Sequence, residues 1–164
     1  MPQRDASPWA VLAVDVGSSS VRAGLYDAAG SPVEGSESRL DYDLRYTPDG
    51  GATADADALT ELAARAIDST LSRAGGYRVR AVASCTFWHS LLGLDGSGRP
   101  ATPVLTWADR RAAGAAARLR GALDEREVHR RTGCVLHSSY WPAKLLWLSE
   151  ERPEDFGRSR RWVS

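Results

Sequence analysis

Residues 9–14 read Trp-Ala-Val-Leu-Ala-Val, an unbroken apolar run that stops at Asp15 and Gly17. Such a run suits a strand buried on both faces. Over residues 20–26 the pattern alternates, with Val21, Ala23 and Leu25 on one side and Arg22 on the other. That predicts a second strand following a tight turn. Residues 27–32 carry a turn signal, and residues 33–40 make a third, more exposed strand. The opening is therefore expected to be an antiparallel meander and not a strand–helix–strand unit.

Residues 41–54 are polar and contain Gly and Pro, so a loop is expected there. The clearest helix follows, because Leu59, Leu62, Ala63, Ala66, Ile67, Thr70 and Leu71 recur at helical spacing. Asp55 and Asp57 sit where the helix dipole favours negative charge, and Gly75-Gly76 stop the helix. Residues 79–85 and 90–95 read as strands, and 102–106 as a short extended piece. Residues 109–121, rich in Ala and Arg, read as a helix. Asp124 with Glu127 has the spacing of a capping box for a short helix ending at Gly133. Pro142 suits the first turn of a helix carrying Lys144, Leu145, Leu146 and Leu148, and Pro153 is expected to end it. Residues 161–164 read as a strand that begins where the chain stops, so the chain is expected to be a piece of a longer protein.

Composition narrows the class. The 164 residues suit one domain, and 43% apolar content is enough for a core. The formal net charge is zero, which argues against nucleic acid or an anionic membrane as partner. Lys144 is the only lysine among 21 basic residues. Cys85 and Cys134 have no CxxC spacing, so a disulfide framework or structural zinc is not expected, and a reducing cytoplasm is the default. The N-terminal residues, 1–8, lack a signal-peptide pattern and are expected to be disordered. No apolar run reaches the roughly 20 residues that span a bilayer. A cytoplasmic, soluble protein is the expectation.

Three clusters could carry chemistry. The first is Asp15-Val-Gly17-Ser18-Ser19-Ser20-Val-Arg22. An acid ends a strand, a glycine allows close approach of backbone, hydroxyls follow, and a cation comes last. Such a turn can hold phosphate oxygens through N–H and O–H donors, and its carboxylate can hold Mg²⁺ through water. It is not a Walker loop, because a strand follows it rather than a helix. A plain hairpin with turn-forming Gly and Ser accounts for it equally. The second cluster is Phe87-Trp88-His89-Ser90, after the strand at 79–85. There His89 could donate to a sugar hydroxyl, or be a satisfied, partly buried histidine. The third is Trp107-Ala-Asp109-Arg110-Arg111, which could bind a polyhydroxylated or acidic ligand. Alternatively Asp109 only caps the next helix and the arginines are solvated. His129 reads as part of a solvated face, and His137 as a helix-entry residue that either helps cap the helix or contacts substrate. A Ser–His–Asp set of Ser19, His89 and Asp109 lacks the G-x-S-x-G elbow of a hydrolase.

As an ordered set these segments resemble the FGGY family of carbohydrate kinases. Asp15, Gly17, Ser18, Ser19, Ser20 and Arg22 match that family's opening, D-x-G-[ST]-[ST]-S-x-[RK]. Trp88-His89-Ser90-Leu91-Leu92 and Thr106-Trp107-Ala108-Asp109-Arg110-Arg111 are similar to the MHSL and TWAD-x-R segments of gluconokinase-like members. Arg130-Arg131-Thr132-Gly133, His137 and Lys144-Leu-Leu-Trp147-Leu148 follow in order. Trp88 stands where family members often have Met, and the larger ring would narrow a pocket.

The resemblance implies an α/β chain of the actin-like ATPase, RNase H-like fold. Residues 9–164 would be the N-terminal lobe, with an opening β-meander and crossover helices, and the second lobe would be absent. It implies ATP and Mg²⁺ as cofactors and a small-molecule sugar or sugar acid, gluconate- or xylulose-like, as substrate. It leaves room for a homodimer of the full-length protein. Asp15 would hold Mg²⁺ through water, Gly17, Ser18 and Ser19 would face the γ-phosphate, and Arg22 would lie near phosphate charge. His89, Trp107, Asp109 and Arg111 would line the sugar site. The family's general base and adenosine site come later than this chain reaches, so the isolated chain is expected to be inactive. The competing readings are a non-catalytic sugar-binding module of actin-like ancestry and an inactive gene fragment.

Overall fold

The computed structural model describes residues 8–164, so all but Pro8 of the expected disordered N-terminus lies outside the described residues. The described chain divides into two compact units. The first holds the residues up to Asp43 together with Ala58–Phe87, and the second holds Leu44–Asp57 with Trp88–Ser164.

The first unit is built on the meander that the alternation at 20–26 predicts. Strand β1 (Trp9–Val16) pairs antiparallel with β2 (Ser20–Asp27), and β2 pairs antiparallel with β3 (Ser38–Asp41). The pairing sets Leu12 against Leu25 and Val14 against Ala23. Ala10, Leu12, Val14, Val21, Ala23 and Leu25 form one buried face. Helix α1 (Ala56–Leu71) lays Leu62, Ala63, Ala66 and Ile67 on that face. Its apolar positions recur three and four apart, so they share one side of the helix. Gly75 and Gly76, at φ 58° and 87°, then turn the chain through left-handed conformations that a Cβ would disfavour. The chain enters β6 (Arg78–Thr86), which runs parallel to β1 and gives the order β3-β2-β1-β6.

The unbroken apolar run at 9–14 predicts burial on both faces. Instead Val11, Ala13 and Asp15 are half-buried, and all nine residues of β6 are exposed. Within this chain the core helix covers one face of the sheet.

In the second unit the segment read as loop, 41–54, contains β4 (Arg45–Tyr46) and the buried β5 (Ala52–Ala54). Strand β5 pairs antiparallel with β4 and with β8 (Val104–Leu105). Three residues carry too little periodicity to be told from a loop. Strand β7 (Leu92–Leu94) pairs antiparallel with β9 (Arg161–Val163). The strand expected at 161–164 thus pairs within the chain. Helices α2 (Ala113–Ala122), α3 (Glu125–Thr132) and α4 (Trp141–Glu151) follow. The Asp124 carboxylate accepts from the N–H groups of Arg126 and Glu127, and Gly133 ends α3 at φ 73°. Glu127 itself pairs with Arg130. Pro153 does not simply end α4. It opens a further short helix, α5 (Pro153–Arg158), because proline fits the first turn of a helix. Leu91, Leu105, Ala112, Ala115, Ala116, Ala143, Trp147 and Leu148 form this unit's core.

Leu25 is 1% exposed at the centre of the first unit's core. Leu25→Ala is expected to cost about 2–5 kcal/mol through lost burial and the cavity left behind. Urea denaturation followed by circular dichroism measures it, and a cost under about 0.5 kcal/mol would show that this core is not the stabilising one.

Candidate functional site

The first candidate surface lies at the carboxyl end of β1. Asp15 is the cross-strand partner of Arg22 and the parallel neighbour of Cys85. Directly opposed residues point to the same face of a sheet. Asp15, Arg22 and Cys85 accordingly line one cavity of about 540 Å³, together with Ala13, Gly24 and the 32–37 segment. The Cys85 thiol donates to Asp15 Oδ1 at 3.2 Å. That hydrogen bond, with desolvation and the nearby carboxylate charge, pushes the thiol pKa above its ordinary value. The sulfur therefore stays protonated at neutral pH and helps orient the carboxylate.

The turn after β1 is held from behind. Gly17 N–H donates to the Ser20 carbonyl at 2.9 Å, and Tyr42 N–H donates to the Ser19 carbonyl at 3.0 Å. The Tyr42 hydroxyl donates to the Gly17 carbonyl. Burial raises the Tyr42 pKa, which keeps that proton in place. Gly17 does not use the left-handed region, but a Cβ there would come within 3.3 Å of the Ser20 carbonyl. The carbonyls of Gly17, Ser19 and Ser20 are thus occupied. Among the described residues the hydroxyls of Ser18 and Ser19 have no hydrogen-bond partner. A cradle with satisfied acceptors and free donors suits an anion.

The second candidate surface belongs to the other unit. His89 has φ 61°, the one non-glycine residue in the left-handed region among those described. That conformation costs on the order of 1–3 kcal/mol and persists where the surroundings hold it. Here the ring packs on Tyr140, with centroids 4.4 Å apart, and meets the edge of Trp88 at 5.9 Å. Trp88 is 78% exposed. Trp107 is 52% exposed, and its carbonyl accepts from the Ser139 hydroxyl at 2.9 Å. The Trp107 backbone is thereby tied to Ser139, and its side chain belongs to an exposed residue. His137 Nδ1 accepts from Ser139 N–H at 3.2 Å, a bond within the approach to α4 and not a cap, since the N-cap residue Tyr140 receives no side-chain cap bond. His89, His137 and Tyr140 also line a mainly apolar cavity of about 320 Å³.

Asp109 and Arg111 are brought together, but inward. Asp109 is 3% exposed. Its carboxylate accepts from Ala52 N–H at 3.2 Å, from Arg111 N–H at 3.1 Å and from the Arg111 guanidinium at 2.6 Å. Arg111 in turn lies over the Trp147 ring, 4.7 Å from its centroid. Asp109 does not cap α2, which begins after Ala112. It closes the turn before that helix and ties the turn to β5. Arg110, by contrast, is exposed.

Four residues that sequence reasoning left out of the site matter to its geometry: Tyr42, Cys85, Tyr140 and Lys144. Lys144 had a visible signal as the one lysine of an arginine-rich chain, placed on an apolar helix face. The other three act through long-range contacts that no local pattern announces. Among the described residues, no group of three or more His, Cys, Asp and Glu side chains could hold a metal on its own, and no helix is long and apolar enough to cross a membrane.

Residues 10–164 match the N-terminal domain of the FGGY family of carbohydrate kinases. A gluconokinase of Bacillus subtilis (strain 168) is 29% identical over 157 residues, covering 93% of this chain and 29% of the relative. Among solved structures, a gluconate kinase from Lactobacillus acidophilus superposes with a TM-score of 0.88 at 26% identity, covering 96% of this chain and 32% of the other. A ligand-bound xylulose kinase from the same organism gives 0.86 at 26% identity, with 94% and 31% covered. The chain thus spans under a third of the length of the relatives it matches. The neighbouring structures place it in the expected α/β, actin-like ATPase fold.

The buried pair gives a test that needs no ligand. Arg111→Met leaves the Asp109 carboxylate buried without its cation and is expected to cost about 3–5 kcal/mol of stability. Chemical denaturation of the 164-residue chain reads this directly. A loss below about 1 kcal/mol, the scale of a surface ion pair, would show that the pair is not buried in solution.

Proposed function

Because the chain belongs to the FGGY family of carbohydrate kinases, we propose that it carries the phosphate-facing turn and part of the sugar site of an enzyme that transfers the γ-phosphoryl group of ATP to a hydroxyl of a sugar or sugar acid. The observation that carries this reading is Asp15. It lies near the end of β1 and faces an open cavity, and the turn that follows in sequence has the carbonyls of Gly17, Ser19 and Ser20 engaged but does not itself line that cavity.

One protein carboxylate fits Mg²⁺, which keeps several waters and takes its other ligands from phosphate oxygens. When bound, that ion neutralises charge on the phosphates. The chain's own residues do the rest. Asp15 positions the hydrated ion, with its carboxylate aimed by the Cys85 thiol. The Ser18 and Ser19 donors meet phosphate oxygens, and Gly17 keeps the turn close. Arg22 adds positive charge to the cavity that Asp15 lines. Donors fixed in advance need no reorganisation as charge develops, which is where such a site lowers the barrier.

On the other unit, His89 offers a hydrogen bond to a sugar hydroxyl and Trp107 offers an apolar platform for C–H faces. Asp109 and Arg111 hold the turn that presents Trp107. Gluconate- and xylulose-like compounds are the substrates this reading favours. The names of the relatives support that class.

The test is turnover of ATP by the full-length protein with gluconate, xylulose and glycerol as acceptors. Asp15→Asn is expected to lower kcat by roughly two orders of magnitude or more while the sugar KM changes little. Retention of full turnover in that variant would remove the role assigned to the turn.

A further inference from the structure

Lys144 is 1% exposed, and sequence position alone gives it no role beyond packing. Its ammonium nonetheless lies where three backbone carbonyls converge. Nζ donates to the carbonyls of His89 at 2.5 Å, Leu105 at 3.0 Å and Thr106 at 2.8 Å. An ammonium has three protons, and here each has an acceptor. The carbonyl of His89 belongs to the residue held in the left-handed conformation. The carbonyl of Thr106 is bonded to the nitrogen of Trp107. The Leu105 carbonyl also accepts from Leu91 N–H, so the cation sits on the bridge that joins these two segments. One turn earlier on α4, Trp141 Nε1 donates to the Ser90 carbonyl at 2.8 Å.

We propose that Lys144 is a positioning residue for carbohydrate recognition, fixing the backbone at His89 and at Trp107 together through its three carbonyl contacts without touching the ligand. This rests on the sugar-site reading above for its purpose, but not for its geometry. A buried cation on a rigid helix is a template: it holds two loops to one point, and its loss leaves the His89 carbonyl without a donor and the Leu105 and Thr106 carbonyls with only the N–H groups of Leu91 and Asp109. Packing alone does not need a charge. A methionine of similar length would fill the same space without the cost of burying an ammonium. Arginine is a poor replacement, because a planar fork does not match three convergent acceptors around one nitrogen.

The charged and titratable groups on the segments around the ammonium are Asp109, its partner Arg111, and His89 with Tyr140 packed on it. Burial lowers the Lys144 pKa to about 8, and the Asp109 charge opposes that shift. Below that value the side chain has three protons to give. Above it the neutral amine has two, so one carbonyl loses its donor. The two segments should then change together.

The experiment is amide-resolved NMR of the chain across about pH 7 to 9.5, the range that brackets a buried lysine of this kind. The amides of Ser90 and Trp107 are expected to shift with one common midpoint near 8. In Lys144→Met that common transition should vanish, and the His89 shifts should leave the left-handed range. Amides that stay fixed through the range in the unmodified chain, or that titrate identically in Lys144→Met, would overturn the proposal. If Lys144→Met does not fold, the pH series on the unmodified chain decides alone. Calorimetry of the full-length protein with gluconate then tests the purpose: affinity should fall roughly tenfold or more in Lys144→Met, as misplaced contacts do, and no better than partly recover in Lys144→Arg. If the unmodified full-length protein binds neither gluconate nor xylulose, the sugar reading fails, and the amides still decide whether Lys144 couples the two segments.

Discussion

The second unit is organised around two opposite charges removed from water. Asp109 and Lys144 are 3% and 1% exposed. A charge so placed is tolerated only when its hydrogen-bonding capacity is filled. Asp109 meets this demand through Arg111 and the β5 backbone, and Lys144 through three carbonyls. Each solution ties together segments that are far apart in the chain. The positions of β5, the turn before α2, the His89 loop and α4 follow from satisfying these two groups. Apolar packing by Leu91, Leu105, Ala116 and Trp147 supplies the bulk of the driving force. The charges decide which backbone atoms must converge.

The first unit reaches its geometry by other means. Its core is ordinary sheet-on-helix burial, and its candidate site is made from backbone register. Antiparallel pairing places Arg22 opposite Asp15, and parallel pairing places Cys85 beside it. Nothing chemical has to be built beyond choosing those residues at those register positions. Tyr42 completes the arrangement by occupying turn carbonyls, which leaves a patch of donors.

These two strategies suit the two chemical tasks proposed. Phosphate is recognised by donors whose placement is coarse and whose field matters most, so a turn at a strand end suffices. A sugar is recognised by hydroxyl geometry, which demands tighter positioning. The more tightly determined backbone, including the strained residue His89, lies on the unit with the buried charges.

Much of this was legible in residue order. Apolar alternation at 20–26 set the hairpin, because a strand has a period of two and only one face can be buried. The spacing from Leu59 to Leu71 set α1, and Asp124 with Gly133 set both ends of α3. The Asp15-to-Arg22 string and the Trp107-to-Arg111 string marked the candidate surfaces. Tertiary structure alone decided the rest. The three-residue strand β5 exists because β4 and β8 flank it, and no period can be read from three residues. Within this chain the apolar run at 9–14 is covered on one face, since coverage depends on what packs there and not on the run itself. Asp109 turns inward because a guanidinium and an amide from 57 residues away meet it there. Lys144 is a cation among carbonyls because two distant segments converge on it. Local patterns fix local hydrogen bonds, whereas the partners of a buried charge are chosen by the fold.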